Sequence, residues 1–250
     1  AYMTMRGLFA LVRINVIEQS NINLADLGMQ SQSLSQLVSA LLGFEDGYAL
    51  QLIMALLVGL GLVLYAVKQE EFRTSLDNIL AGVVIGLSVV AAWYITGVVG
   101  YDDFDPVTPQ GLTFVGPTGN TVSYLMTFTG AQINFGIAVT LGMIIGSFLY
   151  AILSGNFRVE TFNSRSEMQA QMVGAVLMGF GGVISFGCTI GQGVSGLSTL
   201  ALGSFITLSM IFFGSALTMK IQYQMMDEEP FMKALSISLA EILNPFKKAE

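Results

Sequence analysis

The residues best equipped for chemistry fall in one stretch, Gly187-Cys188-Thr189-Ile190-Gly191-Gln192-Gly193-Val194-Ser195-Gly196. Cys188 is the single cysteine of the chain, and a thiol can act as a nucleophile, a metal ligand or a weak hydrogen-bond donor. Gln192 and Ser195 add neutral donors and acceptors. Gly187, Gly191, Gly193 and Gly196 weaken a helix, each by about 1 kcal/mol relative to alanine, so Thr189 and its neighbours are expected to sit at an interruption. The expected form is a broken helix with Cys188 at the break and helix resuming near Val194. A half-helix N-terminus there would turn unpaired amides toward an anion. A tight hairpin with Cys188 packed as a small apolar residue fits the same ten letters.

Other chemistries are closed. With no histidine in the chain, the commonest metal ligand and general base are absent. A lone cysteine excludes an internal disulfide and a multi-thiolate metal site. No acidic or basic residue occurs between 168 and 219, so no nearby base activates the thiol. A helix N-terminus remains the one local means of favouring a thiolate. A net charge of -7 with no basic stripe argues against nucleic acid. No metal and no cofactor are implied.

The elements that hold this stretch are apolar. The 250 residues are 53% hydrophobic, with mean hydropathy +0.69 and 10 basic and 17 acidic side chains. No charge occurs in 47–67, 78–101, 106–157 or 168–219, and roughly 20 apolar residues suffice for a transmembrane helix. The apolar runs are continuous rather than alternating, which argues against a β-barrel. The expected fold is an all-α polytopic membrane protein, with spans at 48–67, 79–99, 134–153, 171–188 and 204–219. Residues 1–250 read as a single transmembrane domain, with a tail at 223–250.

Loop charges orient these spans. Lys68, Arg73, Arg158, Arg165, Lys220, Lys233, Lys247 and Lys248 all fall on one side if the last two spans form a hairpin. That side, with the C-terminus, is then cytoplasmic by the positive-inside rule. The loop 100–122, with Asp102, Asp103 and Asp105, lies outside. The stretches 7–17 and 33–43 are too short to span. In 231–243, Phe231, Leu235, Leu239 and Ile242 share a helical face, as in a helix lying on the cytoplasmic membrane surface; a soluble packing helix has the same pattern.

Two internal echoes suggest a repeat. Gly196-Leu197-Ser198-Thr199-Leu200 resembles Gly7-Leu8-Phe9-Ala10-Leu11, and Arg73 with Gly82 resembles Arg165 with Gly174. The first register sets a counterpart of Cys188 just upstream of Ala1, and the chain opens on Ala1-Tyr2 rather than Met. It is therefore expected to be the later part of a longer protein.

The motifs MGFGG at 178–182, GCTIGQG at 187–193 and GLSTLALGS at 196–204, with WYITG at 93–97 and TFVGPTG at 113–119, resemble the YeeE/YedE-like sulfur-transport membrane proteins. The resemblance covers about 79–219. It implies an inner-membrane helical bundle with a pseudo-repeat and short broken or re-entrant helices meeting at mid-membrane. It further implies uptake of thiosulfate or a related sulfur-containing anion past cysteine thiols, of which this chain offers Cys188. A cytoplasmic TusA-like sulfur carrier is the implied partner, beside the lipid bilayer. The family's first-half cysteine motif has no counterpart in these 250 residues.

Trp93 and Tyr94 read as interfacial anchors. Residues 113–119 either fold back toward the pathway or form an exposed loop. Arg6 and Arg13 read as topology signals or as cations that attract an anion near the first half-repeat, and the 14 methionines as packing or as soft sulfur-lined surface. Three functions fit: an anion transporter or channel, a membrane-embedded sulfur-handling redox protein using Cys188, and a structural membrane subunit. In a Cys188→Ala background, cysteines introduced at Asp103 and Arg165 should react with impermeant thiol reagents from outside and inside respectively. Reversed accessibility at either position would overturn the topology.

Overall fold

The computed structural model describes residues 1–20, 31–42, 48–101, 103–104, 108–162, 164–226 and 230–243. Asp102, Asp105, Lys247 and Lys248, which entered the topology reading, lie outside the described residues. Among the described residues the structure is helical, apart from turns, loops and an isolated antiparallel bridge between Ser33 and Ala201. The order is α1 (Tyr2–Met5), α2 (Phe9–Val12) with a π-helical continuation Arg13–Ile17, α3 (Leu34–Leu42), α4 (Tyr48–Lys68) and α5 (Glu70–Thr74). Then come α6 (Leu76–Tyr94) with a π-helical extension Ile95–Val99, α7 (Val115–Met126), α8 (Phe135–Leu153) and α9 (Arg165–Ile184). A π-helical segment Gly191–Gly196, α10 (Leu202–Met226) and α11 (Phe231–Leu243) complete it.

Four of these helices are long and apolar enough to cross a membrane: Tyr48–Lys68, Leu76–Val99, Phe135–Leu153 and Leu202–Met226. This is an all-α, multi-pass membrane protein. α4 has no buried residue, so its apolar side chains face outward from this chain. Side-chain caps define three starts. Ser75 accepts from the Asn78 amide, Asn134 from Ile137 and Ser164 from Glu167, each satisfying an amide that a helix start leaves open.

Three expectations change. The fourth span was expected to reach Cys188, but α9 stops at Ile184. Arg165, Glu167, Gln169 and Gln171 occupy its first two turns, leaving 172–184 apolar. Thirteen residues rise only ~20 Å, short of a hydrocarbon core of about 30 Å. The fifth span runs seven residues past Met219, to Met226, because a charge marks a membrane boundary without ending a helix. The segment expected to be an outer loop, 100–122, also contains a helix. α7 buries Pro117, Gly119 and Thr121, and Pro117 is tolerated in its first turn, where no intrahelical amide bond is lost.

The two echoes fare differently. In the first, the Ala10 amide donates to Gly7 O and Leu11 to Leu8 O, as Thr199 does to Gly196 O and Leu200 to Leu197 O. In the second, Arg73 precedes its helix cap at Ser75 whereas Arg165 follows the cap at Ser164, so the two arginines hold different local positions. Arg13 pairs with Glu18 at 3.1 Å.

The chain divides into two units, Ala1–Ser204 and Phe205–Glu250. Within the second, α11 buries Ala234 and Ser238 completely and leaves Phe231 and Met232 exposed. The packed stripe is thus made of small residues, displaced from the Phe231 face. Lys220 Nζ donates to Glu241 Oε2 at 2.9 Å.

Within the first unit, α7 and α8 approach closely where a Cβ on Gly136 would sit 2.8 Å from Pro117 Cγ. Gly136→Ala should therefore lower unfolding stability by about 1–3 kcal/mol, the usual cost of overpacking. Gly142→Ala, with nothing within 4 Å of the new methyl, should be neutral or stabilising by up to ~1 kcal/mol. Melting of the purified variants checks both; equal shifts would show that the Gly136 contact does not limit packing.

Candidate functional site

The interruption lies between α9 and the π-helical segment, and it is shorter than the glycine spacing suggested. After Ile184 the backbone turns through Ser185–Gly187, reaches Cys188, and is helical again from Thr189. Gly191, Gly193 and Gly196 therefore lie inside helix rather than in a break. Close packing outweighs their low propensity. A Cβ on Gly191 would sit 2.8 Å from Thr113 Oγ1, and one on Gly196 would collide with Ser204 Oγ. π-Helical turns of this kind recur at functional positions.

Two residues without glycine's freedom adopt left-handed backbone here, Phe186 with φ 56° and Leu200 with φ 54°. One stands on each side of the short helical stretch 189–198. Such conformations cost of order 1–3 kcal/mol and persist where surrounding structure enforces them.

The enforcing bonds are specific. Amides of Ser185 and Gly187 donate to Gly181 O and Gly182 O, both at 2.9 Å. Ser185 Oγ lies 2.9 Å from Gly181 O and 2.8 Å from Gly187 O and donates between them. Gln192 Nε2 donates to Ser185 O at 2.9 Å, its Oε1 accepts from Ser204 Oγ at 2.6 Å, and its amide donates to Cys188 O at 2.8 Å. Beyond the stretch, Leu34 donates to Leu200 O and Leu202 to Gln32 O.

Gly187 is buried, Cys188 is a half-buried free thiol, and Thr189 is exposed at the helix start. Gly191, Gln192, Gly193 and Gly196 are half-buried. Ser195 is buried and its Oγ donates to Leu112 O at 2.7 Å. The sequence-derived residues thus share one turn-and-helix unit. A cavity of about 210 Å³ is lined by Gly191, Gln192, Ser195, Gly196 and Thr199 together with Trp93, Gly111 and Leu112; Ser195 and Leu112 meet at its edge through their hydrogen bond. Cys188 is not among its lining residues.

The contribution of Trp93, Gly111 and Leu112 escaped the sequence reading. Trp93 lines the cavity and is half-buried, whereas Tyr94 is 59% exposed. Thr96 explains how residues 110–112 arrive. Its Oγ1 accepts from the Gln110 amide at 2.9 Å and donates to Ala92 O at 2.8 Å, with Gln110 O also at 3.2 Å. Residues 113–119 do fold back, since Thr113 lies against Gly191 and α7 follows directly. The available signals were the WYITG and TFVGPTG motifs; a backbone acceptor such as Leu112 O has no side-chain signature.

The family model for sulphur transport matches residues 1–217. The thiosulfate transporter TsuA of Escherichia coli (strain K12) is 30% identical over 156 residues, which cover 62% of this chain and 40% of that protein. TsuA of Spirochaeta thermophila is 31% identical over 100 residues, 40% of this chain and 30% of that protein. The chain therefore matches well under half the length of these curated relatives. No solved structure matches it. With the family pattern extending from Ala1 through the break at Cys188 and into α10, this chain belongs to the sulphur transport family.

Proposed function

We propose that this chain carries a small sulfur-containing anion, thiosulfate, across the cell inner membrane, with its C-terminus cytoplasmic. The observation that carries the reading is the interruption at Ser185–Cys188, where a free thiol stands immediately before a helix start. The names of the two relatives support the choice of thiosulfate.

The chemistry follows from the donors available. The first amides of a helix have no acceptor one turn back, so those of Thr189, Ile190 and Gly191 offer partial positive charge without a cation. With no charged side chain between 168 and 219, this segment offers the anion dipoles in place of hydration. Attraction of that kind is weak enough to allow release as well as entry. The Cys188 S–H adds a weak donor, a contact that a sulfur anion can form and leave. Gly187, Gly193 and Gly196 give the chain room to turn and pack around this path, and Ser195 fixes it to the outer loop. On the cytoplasmic side, a TusA-like sulfur carrier receives the solute.

Thiosulfate uptake into proteoliposomes tests the proposal. Cys188→Ala should lower uptake roughly tenfold, equivalent to ~1.4 kcal/mol and near the upper worth of one neutral hydrogen bond. Cys188→Ser, which keeps a donor, should retain partial activity. Uptake by well-inserted Cys188→Ala at the wild-type rate would show that the thiol only packs.

A further inference from the structure

We infer that Gln192 is the positioning residue of the break, fixing where Cys188 stands, and that this task takes precedence over binding solute directly. The inference rests on the transport reading only for the use to which Cys188 is put. One residue makes three bonds around the interruption, and its Nε2 bond to Ser185 O crosses it. The backbone amide holds Cys188 O, Nε2 holds Ser185 O, and Oε1 accepts from Ser204 Oγ at the start of α10. Gln192 Cγ also lies where a side chain on Gly187 would be, 3.0 Å from its ideal Cβ. Every residue from Ser185 to Cys188 except Phe186 is therefore touched by Gln192 or bonded to it. Phe186 is the strained one, 83% exposed with φ 56°, so no burial of its own within this chain holds it in place.

The chemical demand on position 192 is narrow. It needs one donor and one acceptor at the end of a two-methylene stem, without charge. Met has the length but neither function, Asn is a methylene short, and an ionised Glu accepts from Ser204 but repels the Ser185 carbonyl. A protonated Glu restores the pattern, since its O–H donates and its C=O accepts.

Because Cys188 is the only cysteine, its alkylation rate by a small neutral thiol reagent reads the break directly in the intact chain in nanodiscs. Gln192→Met should speed labelling about tenfold, the effect of freeing a contact worth one decade in an equilibrium. Ser204→Ala, which removes one bond of the three, should move it in the same direction by less. Gln192→Glu should label within about twofold of wild type at acidic pH and depart from it as pH rises, a return that loss of packing alone cannot produce. In the segments around Gln192, residues 110–113, 185–188 and 202–204 with Trp93, only Cys188 titrates. Rates are therefore compared with wild type at the same pH. Wild-type labelling by Gln192→Met and Ser204→Ala, with a pH-independent ratio for Gln192→Glu, would overturn the inference. If Gln192→Met fails to insert, Ser204→Ala and the Gln192→Glu profile decide it. Thiosulfate uptake measured alongside separates the two readings. Labelling that shifts while Cys188→Ala still transports sinks only the transport role, and unshifted labelling with Cys188→Ala inactive sinks only the positioning role.

Discussion

A backbone that leaves regular helix among membrane spans exposes N–H and C=O groups where water is scarce. Each such group left unpaired costs several kcal/mol. The helix α9 stops at Ile184 and α10 begins at Leu202, so two ends and the short stretch between them must be satisfied internally. The side chains that do so come from a small set. Gln192 answers Ser185 O, Ser185 Oγ reaches Gly181 O and Gly187 O, and Ser195 answers Leu112 O. At the far end, backbone from residues 32–34 pairs with 200–202. The polar residues that look like solute ligands in the sequence are, to a large degree, the groups that make the interruption tolerable.

This dual use explains which features were legible in the sequence. Spans at 48–67, 79–99 and 134–153 could be read because uncharged runs and flanking charges mark the bilayer directly, and the helices found there agree. The position of the break was legible from Cys188, Gln192 and Ser195, since polar types inside a long apolar run need a reason. Its internal form was not. Glycine propensity favours a break over 187–196, but Gly191 against Thr113 and Gly196 against Ser204 are contacts between distant segments, and they keep 189–198 helical. α7 was hidden for a related reason. Its Gly116, Pro117 and Gly119 read as loop, while Pro117 in the first turn and Gly136 opposite it make a tight helix crossing.

The strained positions sharpen the point. In a segment rich in glycine, the two left-handed residues are Phe186 and Leu200; of the glycines between them, Gly187 sits in the turn and Gly191, Gly193 and Gly196 in π-helical backbone, none with a positive φ. Glycine was thus placed for proximity, not for conformational freedom. At about 1–2 kcal/mol for each left-handed residue, the bond set around the interruption must supply a few kcal/mol to hold its shape, which a handful of net hydrogen bonds at ~1 kcal/mol each can do.

That balance bears on how a solute could pass. An ion held by fixed charges would bind tightly and leave slowly, whereas dipoles anchored by a nearly exhausted bond network bind weakly in a shape that does not relax around the ion. Preorganised donors keep their orientation when the anion is absent, so no reorganisation is required on arrival or departure. The wall facing the short helix fits the same logic. Thr96 fixes Gln110, Leu112 O takes the Ser195 hydroxyl, and Trp93 closes the side of the cavity with a rigid ring. Each component is neutral, and Thr96 and Ser195 are each bonded to a distant segment. A single added charge at Gln192 or Ser195 would therefore act on the bonds that keep the break in place.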